Sequence, residues 1–256
     1  MVELLARIER AVVEAGAEIL AVYASDFAVA RKRDASPVTL ADGKAEAVIL
    51  RRLAEATPDI PIISEEQAEE NGLPDSVPTR YWLVDPLDGT KEFVARNGEF
   101  TVNIGLIEDG RPILGVVGVP AKGLVYAGAG PGTARVGDGS GDHRPIKCRP
   151  CPSEGATVIC SRSHADNEEL EAWLAERRVA RRLIAGSAYK FCALAEGTAD
   201  LYPRFRPTME WDTAAGQALL EAAGGSVSFL DGTPFRYGKP GFLNPGFIAA
   251  GDPSNS

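Results

Sequence analysis

Acidic side chains with the spacing of a metal site follow directly on an apolar run in the first half of the chain. The run Trp82-Leu83-Val84 leads into Asp85-Pro86-Leu87-Asp88-Gly89-Thr90. Mg²⁺ requires hard oxygen ligands in near-octahedral geometry. Asp85 and Asp88 can both point into one cup, and the Leu87 carbonyl can add a third oxygen. Because Asp-Pro and Asp-Gly are also ordinary turn sequences, a plain tight turn without a cation is an open alternative at this point.

Further acids lie at the ends of two other predicted elements. Ile62-Ile63-Ser64 has the composition of a strand and runs into Glu65-Glu66, and Asp212 falls in the first turn of a predicted helix. Taken singly, Glu65 is equally well a solvated turn residue, and Asp212 is equally well a helix cap or a partner of the helix dipole. Taken together, acids at the ends of several elements favour one shared cation site.

The backbone after Asp88 adds a place for an anion. Gly89 and Thr90 open a predicted helix, and their free N–H groups suit a phosphate oxygen. The chain has 27 basic and 36 acidic residues and a formal charge of −9, so an anionic substrate needs bound cations to overcome the global field. The same charge, with no basic stripe in the sequence, argues against nucleic acid as a partner and weakly against an anionic membrane surface.

The general composition is that of a soluble globular protein. The chain has 256 residues, of which 45% are hydrophobic, enough for a large core. We find no run of about 18 apolar residues and no signal-like character in residues 1–10, so we expect a cytoplasmic protein without a membrane-inserted segment. Cys148 and Cys151 form a lone C-x-x-C pair, too few ligands for a zinc ribbon. Reduced thiols are the main interpretation, and a redox switch is the alternative.

Along the chain, the predicted elements that position the acids are first two helices and then an antiparallel meander of strands. Apolar spacing predicts helices over residues 3–24 and 42–56 and a buried strand over 81–84. Three strand-like runs then predict antiparallel pairing, with a hairpin turn signal at Asp109-Gly110. These runs are residues 100–107, 112–119 and 123–127.

Residues 130–155 are rich in Gly, Pro and Ser and form the predicted boundary. Beyond them strands alternate with helices, which indicates an α/β arrangement. We therefore predict an N-terminal α+β half, residues 1–152, with most of the metal ligands. A C-terminal α/β half, residues 153–256, would carry the last ligand and the substrate-binding residues, with a cleft where the halves meet. The predicted strands in this half are 157–160, 182–184 and 199–202, and the predicted helices are 167–177, 187–195 and 211–223.

Three segments resemble the signatures of the Mg²⁺-dependent, lithium-sensitive phosphatase family that includes inositol monophosphatase. They occur in order and with family-like separation: Ile63-Ser64-Glu65-Glu66, Asp85-Pro86-Leu87-Asp88-Gly89-Thr90 and Trp211-Asp212-Thr213-Ala214-Ala215-Gly216. The resemblance covers nearly the whole chain. It implies a layered α-β-α-β-α sandwich, about two or three Mg²⁺ ions per site and inhibition by Li⁺. The metal ligands that it implies are Glu65, Asp85, the Leu87 carbonyl, Asp88 and Asp212.

The same resemblance implies how a phosphate ester would be hydrolysed. Bound Mg²⁺ would neutralise the ester dianion and hold the attacking water in line with the leaving oxygen. Glu65 and Thr90 would deprotonate and orient that water. Asp42, in a segment that resembles the family's early helix, would accept a hydrogen bond from Thr90, and its alternative interpretation is a helix cap.

Thr90-Lys91-Glu92-Phe93, Ser161-Arg162-Ser163-His164 and residues 96–104, 186–192, 201–205 and 242–247 add a narrower resemblance. Within this family, these segments resemble the CysQ-type 3'(2'),5'-bisphosphate nucleotidases. This branch implies hydrolysis of the 3'-phosphate of adenosine 3',5'-bisphosphate to AMP and phosphate, and of the same phosphate in its sulfated precursor, hence a role in sulfur assimilation. Lys190 and Arg204 would hold the uncleaved phosphate. His164 would lie against the adenine, and Ser187 would bind that phosphate from a helix cap. The implied substrate-binding residues are Gly89, Thr90, His164, Ser187, Lys190, Arg204 and Asp212.

Several alternatives stay open at this point. By residue type alone, Lys190 and Arg204 are more often surface charges, and His164 more often a loop residue. The metal core does not distinguish a nucleotidase from an inositol monophosphatase or a fructose-1,6-bisphosphatase. A non-catalytic nucleotide-binding sensor is an alternative of another class, whereas a purely structural protein conflicts with the cost of burying acids without a cation. The oligomeric state is open between a monomer and a homodimer.

Overall fold

The structure, a computed structural model, describes residues 1–25, 40–74, 76–162 and 168–252, together with the backbone of 30–31 and 37–38. Apolar residues at helical spacing form a buried stripe on α1 (Val2–Tyr23) and another on α2 (Leu40–Ala56), and the two helices pack together. Both predicted helices are confirmed. The short strands β1 (Ala30–Arg31) and β2 (Pro37–Val38) pair antiparallel between them.

A seven-stranded sheet follows, with neighbours in chain order. Its first pair is parallel and the rest are antiparallel, which confirms the predicted meander. Asp109 and Gly110 both have positive φ, 50° and 71°, as a tight hairpin turn requires. The strands are β3 (Ile62–Ser64), β4 (Arg80–Asp88), β5 (Thr101–Glu108), β6 (Arg111–Val119), β7 (Leu124–Gly128), β8 (Arg135–Gly137) and β9 (His143–Pro145). The helices α3 (Glu65–Asn71) and α4 (Thr90–Val94) interrupt the series.

Residues 130–155 are more ordered than the sequence predicts, because β8 and β9 lie within them. Each strand has only three residues, too few to show an alternating pattern among glycines. Cys148 and Cys151 follow as unbridged thiols. Burial raises the pKa of Cys148 to about 11, so little thiolate is present at neutral pH. The division of the chain at residue 152 stays a prediction.

The second sheet has five strands in the order β11-β10-β12-β16-β14, where β10 is Ala156–Ser161, β11 Val179–Ala185, β12 Leu201–Arg204, β14 Ser226–Phe229 and β16 Phe247–Ala250. The strands β14 and β16 are not among the predicted ones. The pair β13 (Thr208–Met209) and β15 (Leu243–Asn244) lies beside it. The helices around the second sheet are α5 (Glu168–Ala175), α6 (Tyr189–Ala195) and α7 (Ala214–Ala222).

No helix among the described residues has a stretch long and apolar enough to cross a bilayer.

Alternation within the strands sorts side chains into three cores. In β4, Trp82 and Val84 pack against α1 and α2, whereas Tyr81 and Leu83 face the opposite side. On that side α6 and α7 fill the space between the two sheets. The far face of the second sheet packs against α5 through residues such as Val158. The layers therefore confirm the predicted α-β-α-β-α sandwich.

A row of glycines lets α7 approach the larger sheet closely. Gly105, Gly115 and Gly128 are direct cross-strand partners on β5, β6 and β7. A Cβ atom on Gly115 would lie 2.2 Å from the carbonyl oxygen of Ala215, and one on Gly105 would lie 2.8 Å from the Cβ atom of Ala214. Since no side chain fits between sheet and helix here, the row sets the position of α7 and of the turn that precedes it.

We expect Gly115→Ala to lower the free energy of unfolding by about 1–3 kcal/mol, because the added methyl group forces α7 away from the sheet. Chemical denaturation measures this change. Gly43→Ala is the matched control: Gly43 lies within α2, where a Cβ atom would meet nothing within 4 Å. The control should be stabilised by up to about 1 kcal/mol. Equal stability of the two variants would contradict the close approach of α7.

Candidate active site

A β-bulge at the end of β4 brings two acids to one side of the strand. Asp85 pairs with Asn103 and Asp88 pairs with Thr101, so three steps along β4 match two steps along β5. Residues three apart on a regular strand face opposite sides, whereas one extra residue returns both acids to the same side. Pro86, which has no N–H for the ladder, lies inside the bulge. The predicted tight turn is therefore wrong, since β4 continues through both acids.

Asp88 is held by donors from two other elements. Its Oδ2 atom accepts hydrogen bonds from Thr101 Oγ1 (3.3 Å), Asn103 Nδ2 (3.3 Å) and the N–H of Ala188 (2.6 Å). The Ser187 hydroxyl donates to the Asp88 carbonyl oxygen at 2.8 Å. None of the hydrogen bonds among the described residues reaches Oδ1 of Asp88, so this oxygen is available to a cation.

Asp212 lies in the turn before α7, because this helix begins later than the sequence predicts. Its Oδ2 atom accepts hydrogen bonds from Thr208 Oγ1 and from the N–H of Met209 (3.0 Å). The neighbouring Glu210 is fully buried and binds the ammonium group of Lys239 at 2.6 Å. It also accepts hydrogen bonds from two backbone N–H groups of residues 238–239. Glu210 thus anchors the turn from which Asp212 projects.

Glu65 is the first residue of α3, and α2 positions it. Glu46 on α2 accepts hydrogen bonds from Ser64 Oγ and from the N–H of Gln67 (3.2 Å). Sequence reasoning missed Glu46, although it follows Asp42 by one helical turn and therefore shares its face. Asp42 is buried near the start of α2, so one face of this helix carries both Asp42 and Glu46.

These elements surround one cavity of about 450 Å³, the acid-lined cavity. Within the described part of the chain, no group of three or more His, Cys, Asp and Glu side chains is arranged to hold an ion on its own. The acids instead border a space wide enough for cations with some of their water, which Mg²⁺ usually retains. All the predicted metal ligands line this cavity, namely Glu65, Asp85, Leu87, Asp88 and Asp212. Asp212 is also a predicted substrate-binding residue, and three further ones line the same cavity: Gly89, Thr90 and Arg204.

Asp85 is the most unfavourable charge in the cavity. Burial raises the pKa of its carboxyl group well above the usual value, and the negative charges of Glu65, Asp88, Asp212 and Asp42 raise it further. All five side chains are carboxylates, which offer oxygen atoms as metal ligands. Such a donor set fits a hard divalent cation such as Mg²⁺, whose charge would offset the repulsion.

Asp212 is perturbed in the same direction. Burial and then the charge of Asp88 raise the pKa of Asp212 to about 6, against the hydrogen bond from Thr208 and the positive charge of Arg204, which lower it. Arg204 therefore offsets part of the local negative charge.

A smaller cavity of about 170 Å³ adjoins the first across Asp88. Lys190 lines it although its side chain is buried. The ammonium group donates to the carbonyl oxygens of Ser187 (2.6 Å) and Ala185 (3.4 Å) and lies 5.1 Å from the ring centre of Tyr202. No carboxylate of the described residues pairs with this charge, so the ammonium group can attract an anion, although Asp88, Glu92 and Asp212 also line this cavity.

Arg204 lines both cavities. Its guanidinium group donates to the carbonyl oxygens of Arg206 (3.1 Å) and Pro207 (3.2 Å) and to the Tyr202 hydroxyl (3.4 Å). A guanidinium group has five N–H donors, so donors remain for a ligand. Sequence reasoning did not single out Tyr202, although its ring lies near Lys190 and its hydroxyl contacts Arg204.

The remaining predicted site residues have different outcomes. The prediction that Ser187 caps a helix is wrong, because α6 begins at Tyr189 with Ala188 in the cap position. Ser187 instead has a positive φ of 51° and faces the Asp88 carbonyl. His164 lies outside the described residues. The hydrogen bond from Thr90 to Asp42 stays a prediction.

We expect Asp85→Asn to raise the unfolding temperature at pH 7 in EDTA, because the neutral amide removes a charge from a crowd of buried acids. Since the pKa of Asp85 is raised in the folded state, the wild type regains this stability as the pH falls toward the ordinary aspartate value of 3.8 and loses it as the pH rises. The advantage of the variant should therefore shrink between pH 7 and pH 4. Added Mg²⁺ should stabilise the wild type more than the variant. Differential scanning fluorimetry tests this, and an advantage independent of pH would contradict it.

The sequence matches a family model described as the inositol monophosphatase family over residues 1–252. It is 48% identical to the 3'(2'),5'-bisphosphate nucleotidase CysQ of Salmonella typhimurium over 237 residues, which covers 91% of this chain and 94% of that protein. It is 47% identical to the protein of the same name from Escherichia coli strain K12 over 236 residues, with the same coverage.

Solved structures agree with this result. CysQ from Bacteroides thetaiotaomicron superimposes with a TM-score of 0.79 at 37% identity, covering 97% of this chain and 96% of that one. An inositol monophosphatase from Zymomonas mobilis has a TM-score of 0.76 at 27% identity, covering 98% and 92%. With the layered fold and the acid-lined cavity, these similarities confirm the resemblance seen in the sequence: the chain belongs to the inositol monophosphatase family.

Proposed function

We propose that this chain is a Mg²⁺-dependent phosphatase that hydrolyses the 3'-phosphate of adenosine 3',5'-bisphosphate to AMP and phosphate. The observation that carries the proposal is the pair of cavities that meet at Asp88, one lined by acids and one containing the buried ammonium group of Lys190. A substrate with two phosphates matches this arrangement. The 48% identity to a 3'(2'),5'-bisphosphate nucleotidase supports the same substrate class.

The phosphate that is cleaved would lie in the acid-lined cavity. Glu65 would take the proton of the attacking water, and Thr90 would orient that water, with Asp42 accepting a hydrogen bond from the Thr90 hydroxyl. The N–H of Gly89 would bind a phosphate oxygen. Mg²⁺, as two or three ions, would supply charge neutralisation and an activated water when held by Glu65, Asp85, the Leu87 carbonyl, Asp88 and Asp212.

The phosphate that is not cleaved would lie in the smaller cavity. Lys190 would provide a buried positive charge, and Arg204 would provide its remaining N–H donors. Ser187 borders the same space, and His164 would lie against the adenine. The sulfated precursor has the same 3'-phosphate, so we extend the proposal to it and to a role in sulfur assimilation. The cytoplasmic location and the choice between monomer and homodimer stay predictions.

The rival substrates fit less well. An inositol monophosphate has a single phosphate and would leave the Lys190 ammonium group facing neutral hydroxyls, although a buried charge is costly without a partner. Fructose 1,6-bisphosphate also has a second phosphate, and here the 48% identity to a 3'(2'),5'-bisphosphate nucleotidase supports the nucleotide instead. A sensor without catalysis would not need every acid of the cavity.

We expect kcat/KM for phosphate release under Mg²⁺ to be at least about tenfold higher for adenosine 3',5'-bisphosphate than for inositol 1-phosphate or fructose 1,6-bisphosphate. Asp88→Asn should lower kcat by at least about hundredfold, because it removes a charged oxygen from the metal site. Glu171→Gln is the control, since Glu171 is exposed and pairs with Arg182 at 2.6 Å. A preference for either sugar phosphate would refute the nucleotide assignment, and full turnover by Asp88→Asn would refute the site.

We also expect Lys190→Met to lower kcat/KM for adenosine 3',5'-bisphosphate by roughly tenfold or more, because a hydrogen bond to a charged phosphate is lost. Adenosine 3'-phosphate, which has no second phosphate, should lose far less. Methionine fits the buried site because its length is similar and it has no charge. Steady-state kinetics with the two nucleotides measure the difference, and equal losses would show that Lys190 does not hold the second phosphate.

A further inference from the structure

Glu92 is a buried carboxylate at the junction of the two cavities. It is the third residue of α4, is only 7% exposed, and lines both the acid-lined cavity and the smaller one. Its stem packs over Gly186, where a Cβ atom would lie 2.6 Å from Glu92 Cγ. A Cβ atom on Gly89 would lie 3.2 Å from Glu92 Oε2 and 2.1 Å from Ser187 Oγ. The carboxylate therefore reaches the point where Gly89 meets Ser187, on the wall of both cavities.

None of the described residues donates a hydrogen bond to this carboxylate. Arg162 is close enough to be influenced by its charge, but the guanidinium group donates instead to Glu99 at 2.7 Å. Glu99 also accepts the N–H of Gly186 at 2.9 Å. The Glu92 side chain lines the two cavities, so its carboxylate has acceptor positions that no protein donor fills. The position is understandable if a bound molecule supplies the donor.

The chemistry of that donor follows from where Glu92 lies. A carboxylate only accepts hydrogen bonds and repels phosphate oxygens, so its partner is a hydroxyl or amino group. In the proposed function, one phosphate occupies each cavity, and the sugar atoms between them pass the junction. The sugar hydroxyl beside the cleaved ester is then the nearest donor. In a ribose 3'-phosphate this group is the 2'-hydroxyl.

We propose that Glu92 is a specificity-determining residue that accepts a hydrogen bond from the sugar hydroxyl adjacent to the cleaved phosphate, and so favours ribonucleotides over 2'-deoxyribonucleotides. This inference rests on the proposed function and assigns a further contact of the same site. The competing role for Glu92 is to offset the N-terminal end of α4. That role does not depend on the sugar of the substrate, so the two roles make different predictions.

The test compares kcat/KM for adenosine 3',5'-bisphosphate and for 2'-deoxyadenosine 3',5'-bisphosphate under saturating Mg²⁺. The wild type should prefer the ribonucleotide by roughly tenfold or more, as expected for a hydrogen bond to a charged acceptor. In Glu92→Ala the ratio should fall to about one, through loss on the ribonucleotide. Glu92→Gln should have an intermediate ratio, because its neutral carbonyl oxygen still accepts a weaker hydrogen bond. Since both substrates are measured on one preparation, the ratio does not depend on the folded fraction.

Glu99→Gln is the matched control, because it removes a negative charge beside Gly186 from a residue that lines neither cavity. Its ratio should equal that of the wild type. A wild-type ratio near one, or an unchanged ratio in Glu92→Ala, would overturn the role of Glu92 while the proposed function stands. Failure of the wild type to release phosphate from either nucleotide would overturn the proposed function itself.

Discussion

Asp85 is buried at the end of a central strand, and the negative charges of four other acids act on it. Burying one such carboxylate costs free energy, and surrounding it with like charges costs more. The fold nevertheless converges on this point: β4 supplies two acids through its bulge, α3 begins there with Glu65, and the turn before α7 presents Asp212. A divalent cation would offset this repulsion, so the arrangement fits a binding site that would be complete only when occupied.

The site depends on the relative position of the two sheets. Most acids come from the larger sheet and the helices that flank it, whereas Asp212, Lys190 and Arg204 come from segments beyond residue 155. The glycine row on β5, β6 and β7 brings α7 against the larger sheet, and the Glu210–Lys239 pair holds the turn that precedes it. Contact in this middle layer therefore sets the distance between Asp212 and the acids of β4.

The same middle layer separates two kinds of electrostatic environment over a short distance. On one side of Asp88 the wall is acidic, and on the other side the ammonium group of Lys190 is held by backbone carbonyls. Ser187 and Ala188 both bind Asp88, so the segment that leads into α6, the helix that carries Lys190, also holds the acid in place. In the proposed function, recognition of one phosphate and positioning of the metal ligands would thus be mechanically connected through this segment.

The sequence determined which acids line the larger cavity and the elements on which most of them stand. Periodicity located α1, α2 and the meander, and acids at element ends marked Glu65, Asp85, Asp88 and Asp212. It did not reveal the bulge, because only the cross-strand register with Asn103 and Thr101 shows that Asp85 and Asp88 face one side. It also did not reveal Glu46, Glu92 or the true contact of Ser187. A side chain's partner depends on where distant segments pack, and those distances are set by contacts such as the glycine row, which no local pattern records.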